Sequence, residues 1–409
     1  MRRFLSASLW FGGGLLLIIF STNFVVPYLL QTSYSAVTYG ESERSLNIVD
    51  AEPPVIHLAT PTPLKAIYMT ACVAATLSRR DSLKALVDSS ELNAIVIDIK
   101  DYTGTISFPI LRQDFAGQAN NVSKGCVVSD LKDFIRELHE DGIYVIGRVS
   151  VFQDSFYAAL FPELAVKSLS TGGVWKDHKG LSFIDVGAKP YWDYIVQISK
   201  ASYALGFDEL NYDYIRYPSD GNMKDVNYTW TASTSSGQAT TTLSKSEMLE
   251  SFFSYLYDNM KDPSKNSGQV PVISADLFGM TTTITSDMGI GQVLEKALPY
   301  FDYIAPMVYP SHYPATWNGL ENPAEHPYNV IKLAMSEGKR REEILNISNG
   351  LATSTPSKLR PWLQDFSLGA IYGPDKIQAQ IQATYDSGLT SWMLWSAANK
   401  YSVEALLPN

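Results

Sequence analysis

Polar residues alternate with apolar ones in one short stretch of this sequence, and that spacing suggests chemistry. Glu209, Asn211 and Asp213 are each two positions apart. Side chains two apart in an extended strand share a face, so these three are predicted to point the same way. An ion pair with the nearby Arg216 would keep Asp213 charged, as a carboxylate nucleophile must be. A purely structural ion pair at the end of the strand is the alternative.

A second carboxyl group with different surroundings is found further along the chain. Asp276 is flanked by Ala275, Leu277 and Phe278, and apolar neighbours raise the pKa of a carboxyl group. A protonated carboxyl group beside an ionised one can cleave a glycosidic bond, the first donating a proton and the second attacking the sugar. We therefore predict Asp213 as nucleophile and Asp276 as acid/base. Asp101 and Asp365 are the other candidates for the acid/base. Each could instead cap a loop or form hydrogen bonds at the rim of the fold.

Further polar and aromatic residues follow the apolar stretches, where a substrate would meet them. The predicted substrate-binding residues are Asp98, Asp101, Arg148, Asn211, Arg216, Tyr309, His312, Asp365, Trp395 and Asn399. Tyr309, Trp395 and Trp362 are candidate sugar platforms, although each taken singly fits a packed core better than a platform. Asp98, Asp101 and His312 could ligate a cation, but they lack a recognised ligand spacing. No metal or cofactor is predicted.

Alternating strand and helix patterns indicate the elements that would position these residues. Strands are predicted at 65–70, 94–99, 143–152, 208–214, 270–277, 303–308, 360–366 and 391–395, and helices at 77–89, 129–141, 191–205, 245–260, 290–298, 327–337 and 375–387. Eight such units predict an α/β fold, a (β/α)₈ TIM barrel over residues 64–409, with the active site at the carboxyl ends of its strands. A doubly wound open sheet is less favoured because no glycine-rich phosphate turn is present.

The N-terminal region has the pattern of an export or membrane segment. Arg2 and Arg3 precede long apolar stretches, which predicts a transmembrane signal anchor over residues 1–36 with the remainder outside the cytoplasm. Cleavage and secretion are the alternative. Residues 37–63 contain several prolines and are interpreted as a linker. The polar stretch 220–242 is interpreted as a mobile flap or an insertion.

Composition argues against a nucleic-acid partner and leaves open whether the two cysteines pair. The net charge is -10 at pH 7 and 45% of residues are hydrophobic, which indicates a large core and argues against nucleic-acid binding. Aromatic residues make up 12% of the chain and offer faces for sugar rings. The two cysteines, Cys72 and Cys126, could form one disulfide outside the cytoplasm, but their spacing does not require it.

Several long motifs in fixed order resemble a bacterial family of glycoside-hydrolase-like barrels that was first catalogued as a domain of unknown function. The matching stretches are residues 94–101, 144–154, 206–218, 275–279, 306–313, 360–366 and 392–401. The resemblance covers about residues 64–405. It implies a TIM barrel related to α-amylase-like and α-galactosidase-like enzymes, in which an aspartate on the fourth strand is the usual nucleophile. Asp213 occupies that place here.

These observations lead to two functional hypotheses of different classes. The first is a glycoside hydrolase acting on an extracytoplasmic poly- or oligosaccharide by a retaining, two-carboxylate mechanism. The second is a non-catalytic glycan-binding or cell-wall-associated barrel, which would keep the aromatic platforms without needing paired carboxylates. The carbohydrate and, through the N-terminal segment, the membrane are the predicted partners.

Overall fold

The structure is a computed structural model of the chain, and it describes residues 55–109, 126–230, 243–265, 270–352 and 354–409. The predicted membrane segment, residues 1–36, and most of the predicted linker lie outside these ranges. Within them, no helix is both long enough and apolar enough to cross a bilayer.

Eight parallel strands form the centre of the fold and close into a barrel in which each strand pairs with its neighbours in chain order. They are β1 (Lys65–Met69), β2 (Ala94–Lys100), β3 (Tyr144–Ser150), β4 (Glu209–Asp213), β5 (Val272–Phe278), β6 (Tyr303–Met307), β7 (Trp362–Gln364) and β8 (Trp392–Trp395). The predicted TIM barrel is therefore confirmed, and each predicted strand overlaps an observed one.

Helices on the chain between the strands complete the βα units. They are α1 (Ala71–Ala74), α2 (Leu77–Asp88), α3 (Leu131–Glu140), α4 (Ser155–Leu160), α5 (Lys189–Leu205), α6 (Lys245–Met260), α7 (Leu294–Ala297), α8 (Pro327–Ser348) and α9 (Pro374–Asp386). The sequence patterns did not predict α1 and α4. Helix α8 extends beyond its predicted end because Gly338 does not stop it. A Cβ there would approach Leu359 and Thr282 to 3.2 Å, so the glycine permits close packing.

The alternation of side chains along the strands separates two layers of packing. Outward residues such as Ile67, Ile97 and Leu210 belong to the large apolar cluster shared with the helices. Inward residues such as Val96 and Ile146 belong to a smaller cluster inside the barrel. This two-residue period aligns the polar side chains of neighbouring strands inside the barrel.

Charged residues also fill the barrel at its amino-terminal end. Glu209, completely buried, forms an ion pair with Arg360 and accepts hydrogen bonds from Ser274 Oγ at 2.5 Å and Tyr144 Oη at 3.3 Å. The first residue of the Glu209, Asn211 and Asp213 series therefore lies at the floor of the barrel, and Asp213 lies at the mouth.

Connections outside the barrel modify two expectations. Part of the predicted flap is ordered, because Val226–Asn227 pairs antiparallel with Lys167–Ser168. Its remainder, residues 231–242, lies outside the described residues.

Cys72 and Cys126 form a disulfide with their Cα atoms 4.6 Å apart, which resolves a pairing that the sequence left open.

Candidate active site

Arg148 is the centre of a charged cluster at the carboxyl ends of β2 to β5. Its Nη1 lies 2.7 Å from Asp98 Oδ1, its Nη2 donates to Asp213 Oδ2, and its Nε lies 3.9 Å from Asp276 Oδ2. Burial opposes the charge, yet the carboxylates of Asp213 and Asp98 hold the pKa of Arg148 well above its usual value. One guanidinium therefore holds three carboxyl groups together inside the barrel.

Asp213 faces inward at the mouth of the barrel, as the alternation on its strand predicts. The prediction that Arg216 forms its ion pair is wrong. Arg148 forms the ion pair, and Arg216 Nη1 instead donates to Tyr217 O and Ser219 Oγ, each at 3.1 Å. Arg216 lies beyond the end of β4, where the chain has left the barrel wall. Asp213 Oδ1 also accepts the backbone N–H of Tyr214 at 2.6 Å, so both oxygens of the carboxylate are hydrogen-bonded.

Asp276 lies deeper than Asp213 and is only 1% exposed. Its Oδ1 accepts hydrogen bonds from Asn211 Nδ2 at 2.9 Å and from Trp362 Nε1 at 2.8 Å. Burial, and after it the negative charge of Asp213, raise the pKa of Asp276 to about 8, against opposing effects of Arg148 and of the two hydrogen bonds. Asp276 therefore has the raised pKa that its apolar sequence neighbours suggested.

Asp98 has a partner that the sequence patterns did not single out. The hydroxyl of Tyr68, at the end of β1, donates to Asp98 Oδ2. Burial, and after it the charge of Asp98, raise the pKa of Tyr68 well above its usual value, so the phenol remains a donor. The sequence does contain a signal for Tyr68. It lies two positions after Ala66 on a strand, which places both side chains on the inner face of β1.

Aromatic residues line the same cluster, although not all of them as predicted. The half-buried ring of Trp395 stacks on Tyr68 with ring centres 4.0 Å apart, and the Arg148 guanidinium lies 5.0 Å from the Trp395 ring. Burial, and after it the charges of Asp276 and Asp213, raise the pKa of Tyr309 well above its usual value. Trp362, completely buried, offers no exposed face, so it belongs to the packed core, as the favoured interpretation of that residue predicts, and is not a sugar platform.

Two predicted binding residues, Asp101 and Asp365, use their carboxylates to hold the protein together. Asp101 Oδ1 accepts hydrogen bonds from Thr103 and Thr105 within one turn. Asp365 accepts two bonds of 2.9 Å from Ser402. The structure favours the turn-cap and rim alternatives for these two aspartates.

Asn399 and Asn211 are similarly engaged with protein groups. Asn399 accepts from the backbone and hydroxyl of Thr70 and donates to Tyr68 O, which joins β8 to β1. Asn211 is completely buried and bonds to Ser274 Oγ at 3.1 Å in addition to Asp276. It supports the acid candidate from below.

His312 lies on the turn after β6, apart from the charged cluster. Its Nδ1 is 3.0 Å from Ser311 Oγ, its ring contacts Tyr309 and Phe366 edge-on, and burial lowers its pKa. Within the described ranges, no group of three or more histidine, cysteine, aspartate or glutamate side chains is arranged to hold a metal ion.

The arrangement provides two carboxyl groups of opposite character beside an aromatic wall. Asp213 is ion-paired with Arg148, the surroundings of Asp276 raise its pKa to about 8, and the ring of Trp395 lies against the Arg148 guanidinium. A pair of carboxyl groups with separated pKa values is the requirement for acid-assisted cleavage of a glycosidic bond.

Comparison with known proteins agrees with this chemistry. The sequence profile of a family described as "putative glycosyl hydrolase domain" matches residues 66–401. No curated protein sequence matches the chain. A hypothetical protein from Ruminiclostridium thermocellum is 27% identical over 51% of this chain and 96% of its own, with a TM-score of 0.41.

Two solved structures show the same fold at low sequence identity. The PgaB (BpsB) glycoside hydrolase domain from Bordetella bronchiseptica has a TM-score of 0.55 at 12% identity, covering 84% of this chain and 97% of its own. Alpha-L-fucosidase isoenzyme 2 from Paenibacillus thiaminolyticus has a TM-score of 0.54 at 11% identity, covering 84% of this chain and 48% of its own. With most of its length matched by the family profile, the chain belongs to the family of glycosyl hydrolase domains.

Proposed function

We propose that the protein is a retaining glycoside hydrolase of extracytoplasmic poly- or oligosaccharides. Asp213 attacks the anomeric carbon, and Asp276 protonates the departing oxygen and then activates water for the second step. Tyr68, Asp98 and Arg148 act together as a positioning group for Asp213.

The difference in protonation between the two carboxyl groups carries this proposal. Arg148 and the backbone N–H of Tyr214 both donate to Asp213, and donors of this kind stabilise the ionised form of a nucleophile. Asp276 has a pKa raised to about 8, so it carries a proton at neutral pH, as a general acid must.

Retention of configuration is supported by the shared contact with one arginine. Arg148 bonds to Asp213 and lies 3.9 Å from Asp276, so the two carboxyl groups are close neighbours. Retaining enzymes have their carboxyl groups about 5–5.5 Å apart, and inverting enzymes leave room for a water between them.

The proposed location outside the cytoplasm rests on two observations. The Cys72–Cys126 disulfide suits an oxidising compartment, because cytoplasmic thiols are normally kept reduced. The apolar N-terminal residues, preceded by Arg2 and Arg3, suit a membrane anchor with the barrel outside.

The test is a screen of the full-length protein against α- and β-linked polysaccharides and the corresponding aryl glycosides. We expect cleavage of at least one substrate, which Asp213→Asn reduces by about 10³-fold or more. The first-formed product, followed by proton NMR, should have the anomeric configuration of the substrate.

Asp276→Asn separates the role of the acid from that of the nucleophile. The loss of activity should be large for natural glycosides and smaller for aryl glycosides, whose leaving groups need less protonation. Cleavage that is unchanged in Asp213→Asn contradicts the proposal. Binding of a glycan without cleavage by any variant supports the non-catalytic alternative.

A further inference from the structure

A cavity opens beside the catalytic cluster, and the proposed mechanism makes no use of it. It has a volume of about 340 Å³ and is lined by residues that include Tyr102, Gln153, Phe183, Tyr214 and Arg216. This volume lies within the range of about 300–1,000 Å³ that is usual for small-ligand sites. Tyr214 directly follows Asp213 and bonds to its carboxylate through the backbone N–H, so the cavity begins next to the proposed nucleophile.

Gln153 provides an unused polar group in this cavity. Its side chain is only 5% exposed, and its Oε1 has no hydrogen-bond partner among the described residues. Its Nε2 lies 3.4 Å from Asp177 Oδ2. A buried acceptor without a partner lowers the stability of the fold, and a ligand hydroxyl that donates to it would remove that cost.

The remaining walls combine charged groups of both signs with aromatic faces. Asp177, Lys179, Arg216 and Asp220 line the cavity together, so two acidic side chains are matched by two basic ones. Arg216 lies 5.1 Å from the Tyr214 ring, and its Nη1 is already used by Tyr217 O and Ser219 Oγ. Such a balanced lining suits an uncharged ligand with many hydroxyl groups.

Tyr102 adds an accessible aromatic surface at the same place. Its side chain is 49% exposed, and it lines the cavity with Tyr214. Aromatic rings pack against the apolar faces of sugar rings, and their polar edges remain available to water.

We propose that this cavity is a subsite for a second, neutral sugar residue, held by Gln153 and packed against Tyr102. The inference rests on the proposed function and specifies its substrate class as oligosaccharides or polysaccharides rather than single-sugar glycosides. The chain of sugars runs from the Asp213 and Asp276 centre past Tyr214 into the cavity.

The test measures binding in the full-length Asp213→Asn protein, so that cleavage does not interfere. Mono-, di- and trisaccharides of the malto-, cello- and chito-series are titrated by calorimetry. In one series we expect affinity to rise about tenfold or more on lengthening, equivalent to about 1.4 kcal/mol. Adding Gln153→Leu or Tyr102→Ala to the Asp213→Asn protein should abolish most of that rise in affinity. Tyr257→Ala, on a tyrosine that is 40% exposed on α6, is the matched control and should preserve it.

Each outcome separates the subsite from the hydrolase proposal. A length-dependent rise that survives both Gln153→Leu and Tyr102→Ala overturns the subsite, as does failure of every oligosaccharide to bind. If the rise depends on these residues while the wild-type protein cleaves nothing, the subsite stands and the hydrolase proposal fails. If cleavage requires Asp213 but the cavity variants do not change how affinity depends on oligosaccharide length, the hydrolase proposal stands and the subsite proposal fails.

Discussion

The indole Nε1 of Trp362 on β7 donates a 2.8 Å hydrogen bond to Oδ1 of Asp276 on β5, which ties the proposed acid to a strand on the far side of β6. The bond favours the ionised form of the carboxyl group and so lowers the pKa of Asp276, against the larger effect of burial. Trp362 therefore adjusts the protonation of the acid without offering a face to substrate.

Replacing Trp362 by Phe should raise the pKa of Asp276 further, because an acceptor bond to its charged form is lost. A hydrogen bond to a charged group contributes about 1.5–3 kcal/mol, so the alkaline limb of the kcat/KM profile should move up by about one to two pH units. Trp392→Phe is the control, since its indole bonds to Tyr385. Equal shifts in both variants would contradict the assignment.

Activity should decline as the pH rises through the range in which Asp276 loses its proton. With a pKa raised to about 8, the acid form predominates below that pH, and kcat should fall above it. A pH series on a natural glycoside and on an aryl glycoside checks this, and the aryl substrate should show the smaller decline. A decline of the same size for both substrates would indicate a different ionisation.

Stability should depend on the same proton. The folded protein retains the Asp276 proton up to about pH 8, whereas the unfolded chain releases it near pH 4, as ordinary aspartates do. Between these values the folded state binds more protons, so this residue makes stability fall as the pH rises. Urea unfolding of the wild type and of Asp276→Asn at pH 5 and pH 8 should show a smaller fall in the variant. An equal fall in both proteins counts against the raised pKa.

Arg148→Met should destabilise the fold strongly, because it leaves the carboxylates of Asp98 and Asp213 buried without their counter-charge. Breaking a buried pair from one side typically costs about 3–5 kcal/mol. The midpoint of urea unfolding measures the change. Arg136→Met is the control, since that arginine pairs on the surface of α3 with Glu140, and it should have little effect. A small loss of stability in Arg148→Met would show that the buried carboxylates do not need the positive charge of Arg148.

The Cys72–Cys126 disulfide joins residues 54 positions apart, and its loss should lower stability by about 4 kcal/mol on the chain-entropy account. Thermal unfolding with and without a reductant measures the effect in the wild type. The Cys72→Ser/Cys126→Ser protein should unfold at the lower temperature under both conditions. Two free thiols in the unreduced wild-type protein would refute the pairing.

The site shows where sequence reasoning succeeded and where it failed. The two-residue alternation placed Asp213 on the inner face, and the apolar neighbours of Asp276 indicated its raised pKa, because both signals are local. The partner of Asp213 was misassigned to Arg216 on grounds of proximity in sequence. In the barrel, β3 pairs with both β2 and β4 and sets Arg148 opposite Asp98 and Asn211, a relationship between strands that the chain order does not reveal.

The sequence by itself determined the barrel, the strand ends at which polar residues gather and the inward orientation of Asp213, because periodicity and composition are properties of short segments. Only the tertiary structure decided that Arg148 binds Asp213, that Trp362 and Asn211 hold Asp276, and that Gln153 faces a cavity. These contacts join strands and loops far apart in sequence, and their geometry depends on the stagger of neighbouring strands when the sheet closes.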